Sequence, residues 1–163
     1  MIIKVKTKLL FQIAFLLCFN FVHAQKVPVL KVDQLLKRIH NNSDTTYIVN
    51  FWATWCKPCV AELPDCVKID SAYKNQKVKV ILVSMDFKED IAKKLKPFLA
   101  KHKFKTQVVL LDEINGNEFI DKISSKWSGA IPATLITKKN KTFFEFYEKK
   151  LNYETITQIL NHY

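Results

Sequence analysis

Two hydrophobic patterns alternate along most of the chain. Apolar and β-branched runs without polar alternation occupy residues 46–53, 78–86 and 106–112, and such runs predict strands buried on both faces of a sheet. Apolar residues at helical spacing predict helices at 32–40, 57–74, 89–103 and 117–127. Pro64 and Pro97 fall inside two of these helices, where we expect them to cause kinks or breaks.

The C-terminal third predicts a different arrangement. Two β-rich stretches at 133–139 and 141–149 flank Asn140 and are typical of an antiparallel hairpin, and a helix is predicted at 153–160. Strand–helix alternation followed by a hairpin and a helix predicts an α/β domain, with a mixed central sheet flanked by helices.

The first 24 residues have the pattern of an export signal. Three lysines among the first eight residues precede an apolar run at 9–22, and Ala24 supplies a small residue at the cleavage point. A membrane span needs roughly 20 apolar residues, so we expect a cleaved signal at 1–24 and one domain at 25–163, located in the periplasm or exported. An uncleaved N-terminal anchor is the alternative. Lipid attachment at Cys18 is disfavoured because Leu17 precedes it.

Composition excludes several classes of function. The chain has only two glycines, too few for a phosphate-binding loop or a dinucleotide fingerprint. The formal net charge is +11, but Arg38 is the only arginine. Specific recognition of bases or phosphates usually relies on arginine, so we do not expect nucleic-acid binding.

Cys56 and Cys59 carry the clearest chemistry. They are separated by Lys57 and Pro58, directly after a predicted strand and at the start of a predicted helix. The free N–H groups and the dipole at a helix N-terminus favour a thiolate. The second cysteine, about one turn further on, lies close enough to form a disulfide, and Pro58 suits the first helical turn. A Cys-x-x-Cys motif beside strand–helix–strand units indicates a redox site.

Other interpretations of the two cysteines are weaker. Structural zinc needs four ligands, and only Cys66 and three scattered histidines would remain after signal removal. Covalent haem attachment needs a histidine after the second cysteine, where Val60 stands. A purely structural disulfide would not explain its position at the start of a helix. We therefore expect a redox-active disulfide between Cys56 and Cys59, with no metal and no cofactor.

The segments "FWATWCKPC", "AELP" and "GAIPAT" together resemble exported thioredoxin-like proteins of the TlpA/ResA type, over roughly the whole chain from Lys31. The resemblance implies a thioredoxin-like fold with a strand–helix insertion between the Cys-x-x-Cys helix and a cis-proline loop. It implies a cis peptide bond at Ile131-Pro132, facing the cysteines. It also implies thiol–disulfide oxidoreductase activity, in which Cys56 attacks the substrate and Cys59 resolves the mixed disulfide.

Two positions near the motif bear on proton transfer. Asn50 stands where similar thioredoxins have a buried aspartate, and an amide cannot titrate. Glu62 matches a glutamate that the ResA-like branch places under the disulfide, which implies that it relays the proton of Cys59. The alternative is an exposed helix glutamate.

The resemblance further implies protein thiol or disulfide substrates and a membrane electron donor. Apocytochrome c biogenesis is one of several open pathways. We favour a monomeric reductase; an oxidase or isomerase and a non-catalytic binding module stay open. Cys66 is expected to be a buried apolar residue rather than a third redox thiol. The expected substrate-binding residues are Trp55, Lys57, Pro58, Ile131 and Pro132.

Overall fold

The computed structural model describes residues 26–41, 43–138 and 142–162. The predicted export signal and the predicted turn at Asn140 lie outside these ranges. Within them, no helix is both long enough and apolar enough to cross a membrane.

The order of elements follows the sequence pattern closely. The strands are β1 (Val29–Leu30), β2 (Thr46–Trp52), β3 (Val78–Ser84), β4 (Gln107–Leu111), β5 (Ala133–Lys138) and β6 (Phe143–Tyr147). The helices are α1 (Val32–Ile39), α2 (Lys57–Ala72), α3 (Lys96–His102), α4 (Gly116–Ile123) and α5 (Tyr153–His162). Two strand–helix units therefore separate α2 from Pro132, as expected for the insertion.

The six strands form one mixed sheet in the order β1-β4-β3-β2-β5-β6. The first four in that order pair in parallel, whereas β5 runs antiparallel to both β2 and β6. Strand β2 therefore lies inside the sheet, between β3 and β5. The antiparallel pairing of β5 with β6 confirms the predicted hairpin. Because β2 ends at Trp52, the loop to Cys56 emerges at the carboxyl edge of the sheet.

Helices cover both faces of the sheet. Alternate residues of β2 explain the division, since successive side chains of a strand point to opposite faces. Ile48 and Trp52 pack on the face covered by α2, α3 and α5, whereas Val49 and Phe51 pack on the face covered by α1 and α4. Burial on both faces explains why the central strands lack polar alternation.

Three features differ from the sequence-based expectation. The helix predicted at 117–127 ends at Ile123, and Trp127 instead packs in the core against Phe51. The helix predicted at 89–103 is irregular, with a 3-10 turn at Lys88–Asp90 and a π-helical turn at Ile91–Leu95 before α3. Pro97 falls in the first turn of α3, where no N–H is needed.

Candidate functional site

The site lies between the end of β2 and the start of α2. Cys56 is the N-cap residue of α2 and its sulfur accepts the backbone N–H of Cys59 at 3.3 Å, while Pro58 lies in the first turn. Cys56 and Cys59 form a disulfide. The sequence prediction that these two residues lie at the start of a helix and can be bridged is confirmed.

The two cysteines differ in their access to solvent. Cys56 is 6% exposed and Cys59 is completely buried. The Ile131-Pro132 peptide bond is cis, and the carbonyl oxygen of Ile131 lies 3.8 Å from the Cys56 sulfur. The expected proline loop therefore faces the disulfide on its more accessible side.

The remaining motif residues flank Cys56 in the chain or belong to the facing proline loop. Trp55 is 59% exposed, Lys57 and Pro58 are exposed, and Ile131 and Pro132 are half-buried. Trp52, in contrast, is buried and packs on Phe98 at 5.2 Å between ring centroids. These positions leave Trp55 as the large aromatic surface beside the disulfide.

Glu62 lies completely buried in α2, one helical turn after Cys59. Its Oε1 accepts the side-chain amide of Asn50 at 2.6 Å, and its Oε2 accepts the backbone N–H of Leu151 at 3.0 Å. The Asn50 Nδ2 also donates to Thr134 Oγ1 at 3.0 Å. The interpretation of Glu62 as an exposed helix residue is therefore wrong.

Burial raises the pKa of the Glu62 carboxyl above its ordinary value, because the charged form loses its hydration. The hydrogen bonds from Asn50 and Leu151 and the charge of Lys150 act in the opposite direction, and the charge of Asp65 raises the pKa further. The burial of this carboxyl thus favours its protonated form relative to an exposed glutamate.

Cys66 is a free thiol, 1% exposed, two turns along α2 from Cys59. Burial raises its pKa far above the ordinary value, and the charges of Glu62 and Asp65 add to this. A thiol that stays protonated is a poor nucleophile, which agrees with the expectation that Cys66 is an apolar core residue.

Sequence reasoning missed a carboxylate that anchors the loop before the disulfide. Asp86 is buried at the end of β3, and it accepts the Thr54 hydroxyl at 2.6 Å, the Thr54 backbone N–H at 3.1 Å and the Ser84 hydroxyl at 2.8 Å. In the sequence, only the polar residues Ser84 and Asp86 at the end of the buried run 78–86 indicated this anchor. Thr134 and Leu151 were also missed, because they reach Asn50 and Glu62 only through tertiary contacts.

Comparison with known proteins supports the ResA-type resemblance. The chain is 38% identical over 56 residues to the thiol-disulfide oxidoreductase ResA of Oceanobacillus iheyensis, covering 34% of this chain and 29% of that protein. It is 35% identical over 100 residues to ResA of Bacillus thuringiensis subsp. konkukian, covering 60% of this chain and 51% of that protein. The matches thus span about half or less of these two relatives' lengths.

Solved structures agree on the fold. The thioredoxin-related protein from Neisseria meningitidis serogroup B superposes with a TM-score of 0.61 at 20% identity, over 88% of this chain and 90% of that chain. The fold is therefore thioredoxin-like, as the sequence motifs predicted. A family model described as the AhpC/TSA family matches residues 24–143, most of the chain. The Cys-x-x-Cys helix, the facing proline loop and this match together place the chain in the AhpC/TSA family.

Proposed function

We propose that this protein is an exported thiol–disulfide oxidoreductase that reduces protein disulfides through Cys56 and Cys59. One observation carries the proposal: the two cysteines form a disulfide at the N-terminus of α2, with Cys56 the more accessible of the two and with the Ile131 carbonyl beside it. The N-terminal pattern of lysines, apolar residues and Ala24 supports export.

The exchange proceeds in two steps. The Cys56 thiolate attacks one sulfur of the substrate disulfide, which forms a mixed disulfide and releases one substrate thiolate. The Cys59 thiolate then attacks the Cys56 sulfur, which releases the second substrate thiolate and closes the Cys56–Cys59 disulfide. Two electrons pass from the pair to the substrate, and a membrane electron donor restores the dithiol.

Substrate contacts follow from the surface around Cys56. The exposed ring of Trp55 provides apolar area, and the backbone of Ile131 before Pro132 can pair with an extended substrate segment. Lys57 and Pro58, also exposed, directly follow Cys56 in the first turn of α2. In this arrangement, Lys57 stabilises the thiolate through its positive charge.

Insulin reduction in the presence of dithiothreitol tests the activity. Wild type should accelerate precipitation of the insulin B chain, and Cys56→Ser should abolish the acceleration. The matched trapping variant Cys59→Ala should accumulate the mixed disulfide with substrate, detectable by mass spectrometry. If wild type and Cys56→Ser behave alike, the domain is a binding module and not an enzyme.

Glu62 is assigned as the proton relay for Cys59, since it is buried one turn away and its pKa is raised. Glu62→Gln preserves the shape and removes the titration. It should slow the resolving step by about ten- to a hundredfold, as general acid–base groups commonly contribute at least that much. Stopped-flow exchange across pH is the measurement, and superimposable pH–rate profiles would remove Glu62 from the mechanism.

A further inference from the structure

The two oxygens of the Glu62 carboxyl have partners of different kinds. Oε2 accepts the backbone N–H of Leu151, and a backbone N–H can only donate. Oε2 must therefore remain an acceptor in both protonation states of the carboxyl. The unprotonated oxygen of a carboxylic acid is the stronger acceptor, so the bond from Leu151 favours the proton on Oε1, the oxygen that lies 2.6 Å from the Asn50 side chain.

A protonated Oε1 conflicts with the present orientation of Asn50. The Asn50 amide directs Nδ2, a donor, at both Oε1 and Thr134 Oγ1. When a hydrogen on Oε1 points toward Asn50, two donors face each other across a distance that suits an O–H···O hydrogen bond. The carboxyl proton needs an acceptor at that position.

The Asn50 side chain contains such an acceptor. Its Oδ1 is buried and has no hydrogen-bond partner among the described residues. Turning the amide end for end exchanges Oδ1 and Nδ2, so that Oδ1 accepts from the Glu62 O–H. The Thr134 hydroxyl can then rotate to donate to the same Oδ1, because a hydroxyl both donates and accepts.

The two orientations satisfy the same two partners. Each one satisfies the contacts to Glu62 and Thr134 and leaves one end of the Asn50 amide unpaired, Oδ1 in the first and Nδ2 in the second. Asn50 and Thr134 are cross-strand neighbours on β2 and β5, so the sheet holds them in register while only the side-chain groups turn.

We propose that Asn50 is a positioning residue whose amide turns end for end when Glu62 gains or loses a proton, and that this proton is carried on Oε1. The other ionisable groups around Glu62 are Asp65 and Cys66 on α2 and Lys150 before α5. Strands β2 and β5 contribute the neutral Asn50 and Thr134. Asn50 is thus the group that adapts to both states of the carboxyl.

The consequence for exchange rests on the proposed function. When Cys59 loses its proton to Glu62, the proton arrives on Oε1, the Asn50 amide turns, and Cys59 is left as the thiolate that attacks Cys56. Release of the proton reverses the turn. The structural claim itself is tested on the oxidised protein without substrate, so failure of the proposed activity would not affect the result.

The direct test is a pH titration by nuclear magnetic resonance of the full oxidised chain. The nuclear Overhauser contact between the Asn50 side-chain amide protons and Thr134 should weaken several-fold as pH falls through the Glu62 midpoint, which is followed by the Glu62 carboxyl carbon. Glu62→Gln should abolish the pH dependence. A contact that persists unchanged through the midpoint would overturn the proposal.

Asn50→Leu gives a second, independent measurement, because leucine neither donates nor accepts. Wild-type Asn50 stabilises both carboxyl states, so its removal should change the acid dissociation constant of Glu62 by about tenfold or less. An amide that only donated would stabilise the charged form alone, and its removal would lower the constant by well over tenfold, which would also overturn the proposal. Thr134→Ser retains the hydroxyl and should behave as wild type in both measurements.

Discussion

At the scale of single residues, the two sulfurs of the disulfide have different environments although only two residues separate them. Cys56 is the N-cap of α2 and 6% exposed, whereas Cys59 lies within the first turn and is completely buried. The N–H of Cys59 points at the Cys56 sulfur, so a thiolate at Cys56 keeps a hydrogen-bond donor after reduction. Their positions at the helix end support the proposed roles of Cys56 as the attacking thiol and Cys59 as the resolving thiol.

This difference predicts selective alkylation of the reduced protein. Cys56 lies at the helix N-terminus and is the more accessible thiol, whereas Cys59 is buried, so iodoacetamide should label Cys56 at least about tenfold faster than Cys59 at pH 7. Cys66 should stay unlabelled while the protein is folded, because it is buried and its pKa is raised. Peptide mass spectrometry over a time course measures all three rates.

Cys56→Ser is the control for the fast phase of labelling, which it should eliminate. Unfolding in guanidinium should make Cys66 as reactive as an ordinary thiol. Faster labelling of Cys59 than of Cys56 in the folded protein would contradict the assignment of the two roles.

At the scale of secondary structure, the end of α3 shows a local strain that the sequence does not reveal. Lys103 follows the helix with φ of 52°, in the left-handed region, and its N–H bonds to the Leu99 carbonyl. This conformation costs a side-chain-bearing residue roughly 1 kcal/mol or more, and glycine is the usual solution. The helix therefore ends on a strained lysine.

Lys103→Gly should raise the free energy of unfolding by about 0.5–1 kcal/mol, since glycine relieves most of that strain while gaining some entropy in the unfolded chain. Ala100→Gly, at an exposed position inside α3, is the matched control and should lower it by about 0.5–1 kcal/mol. Urea denaturation measures both variants. Destabilisation by both substitutions would show that the left-handed position carries no relievable strain.

The hydrophobic pattern and the cysteine–proline motif predicted most of the strands and helices, because burial and local sequence preferences determine where these elements form. The runs in β2, β3 and β4 are apolar on both faces, and the start of α2 follows from the cysteine–proline motif. The two-residue strand β1 is too short to produce a pattern, and its existence depends on pairing with β4. The early end of α4 has a tertiary cause as well, since Trp127 leaves the helix to enter the core.

The candidate site likewise contains residues that the sequence identifies and residues that only tertiary contacts bring together. Cys56, Cys59 and Pro132 lie in recognisable motifs, whereas a buried Glu62 was implied only by the family resemblance, with an exposed helix position as the alternative. Its partners could not be predicted, because Thr134 and Leu151 are distant in sequence and meet Glu62 and Asn50 only when the sheet and the C-terminal segment assemble.

At the scale of the whole molecule, Glu62 joins three parts of the fold. It lies on α2, contacts Asn50 on β2 and accepts the N–H of Leu151, the residue just before α5. The protonation state of Glu62 should therefore affect global stability as well as exchange.

The sign of this effect follows from linkage. Burial raises the folded pKa above the ordinary value of 4.5, so the folded state binds more protons than the unfolded state between the two values. Stability from this group is fully present below about pH 4.5 and is lost as pH rises through the folded pKa, with a slope of up to about 1.4 kcal/mol per pH unit. Above the folded pKa the contribution is constant.

Glu62→Gln should therefore remove a decline in stability with rising pH. Urea denaturation of wild type and variant across pH 4 to 8 gives the two curves, and their difference isolates Glu62 because every other carboxylate is common to both. Glu89→Gln, at an exposed position, controls for the loss of one negative charge. Wild type should lose stability relative to Glu62→Gln as pH rises from about 4.5, whereas parallel curves would mean that the buried carboxyl titrates alike in the folded and unfolded chains.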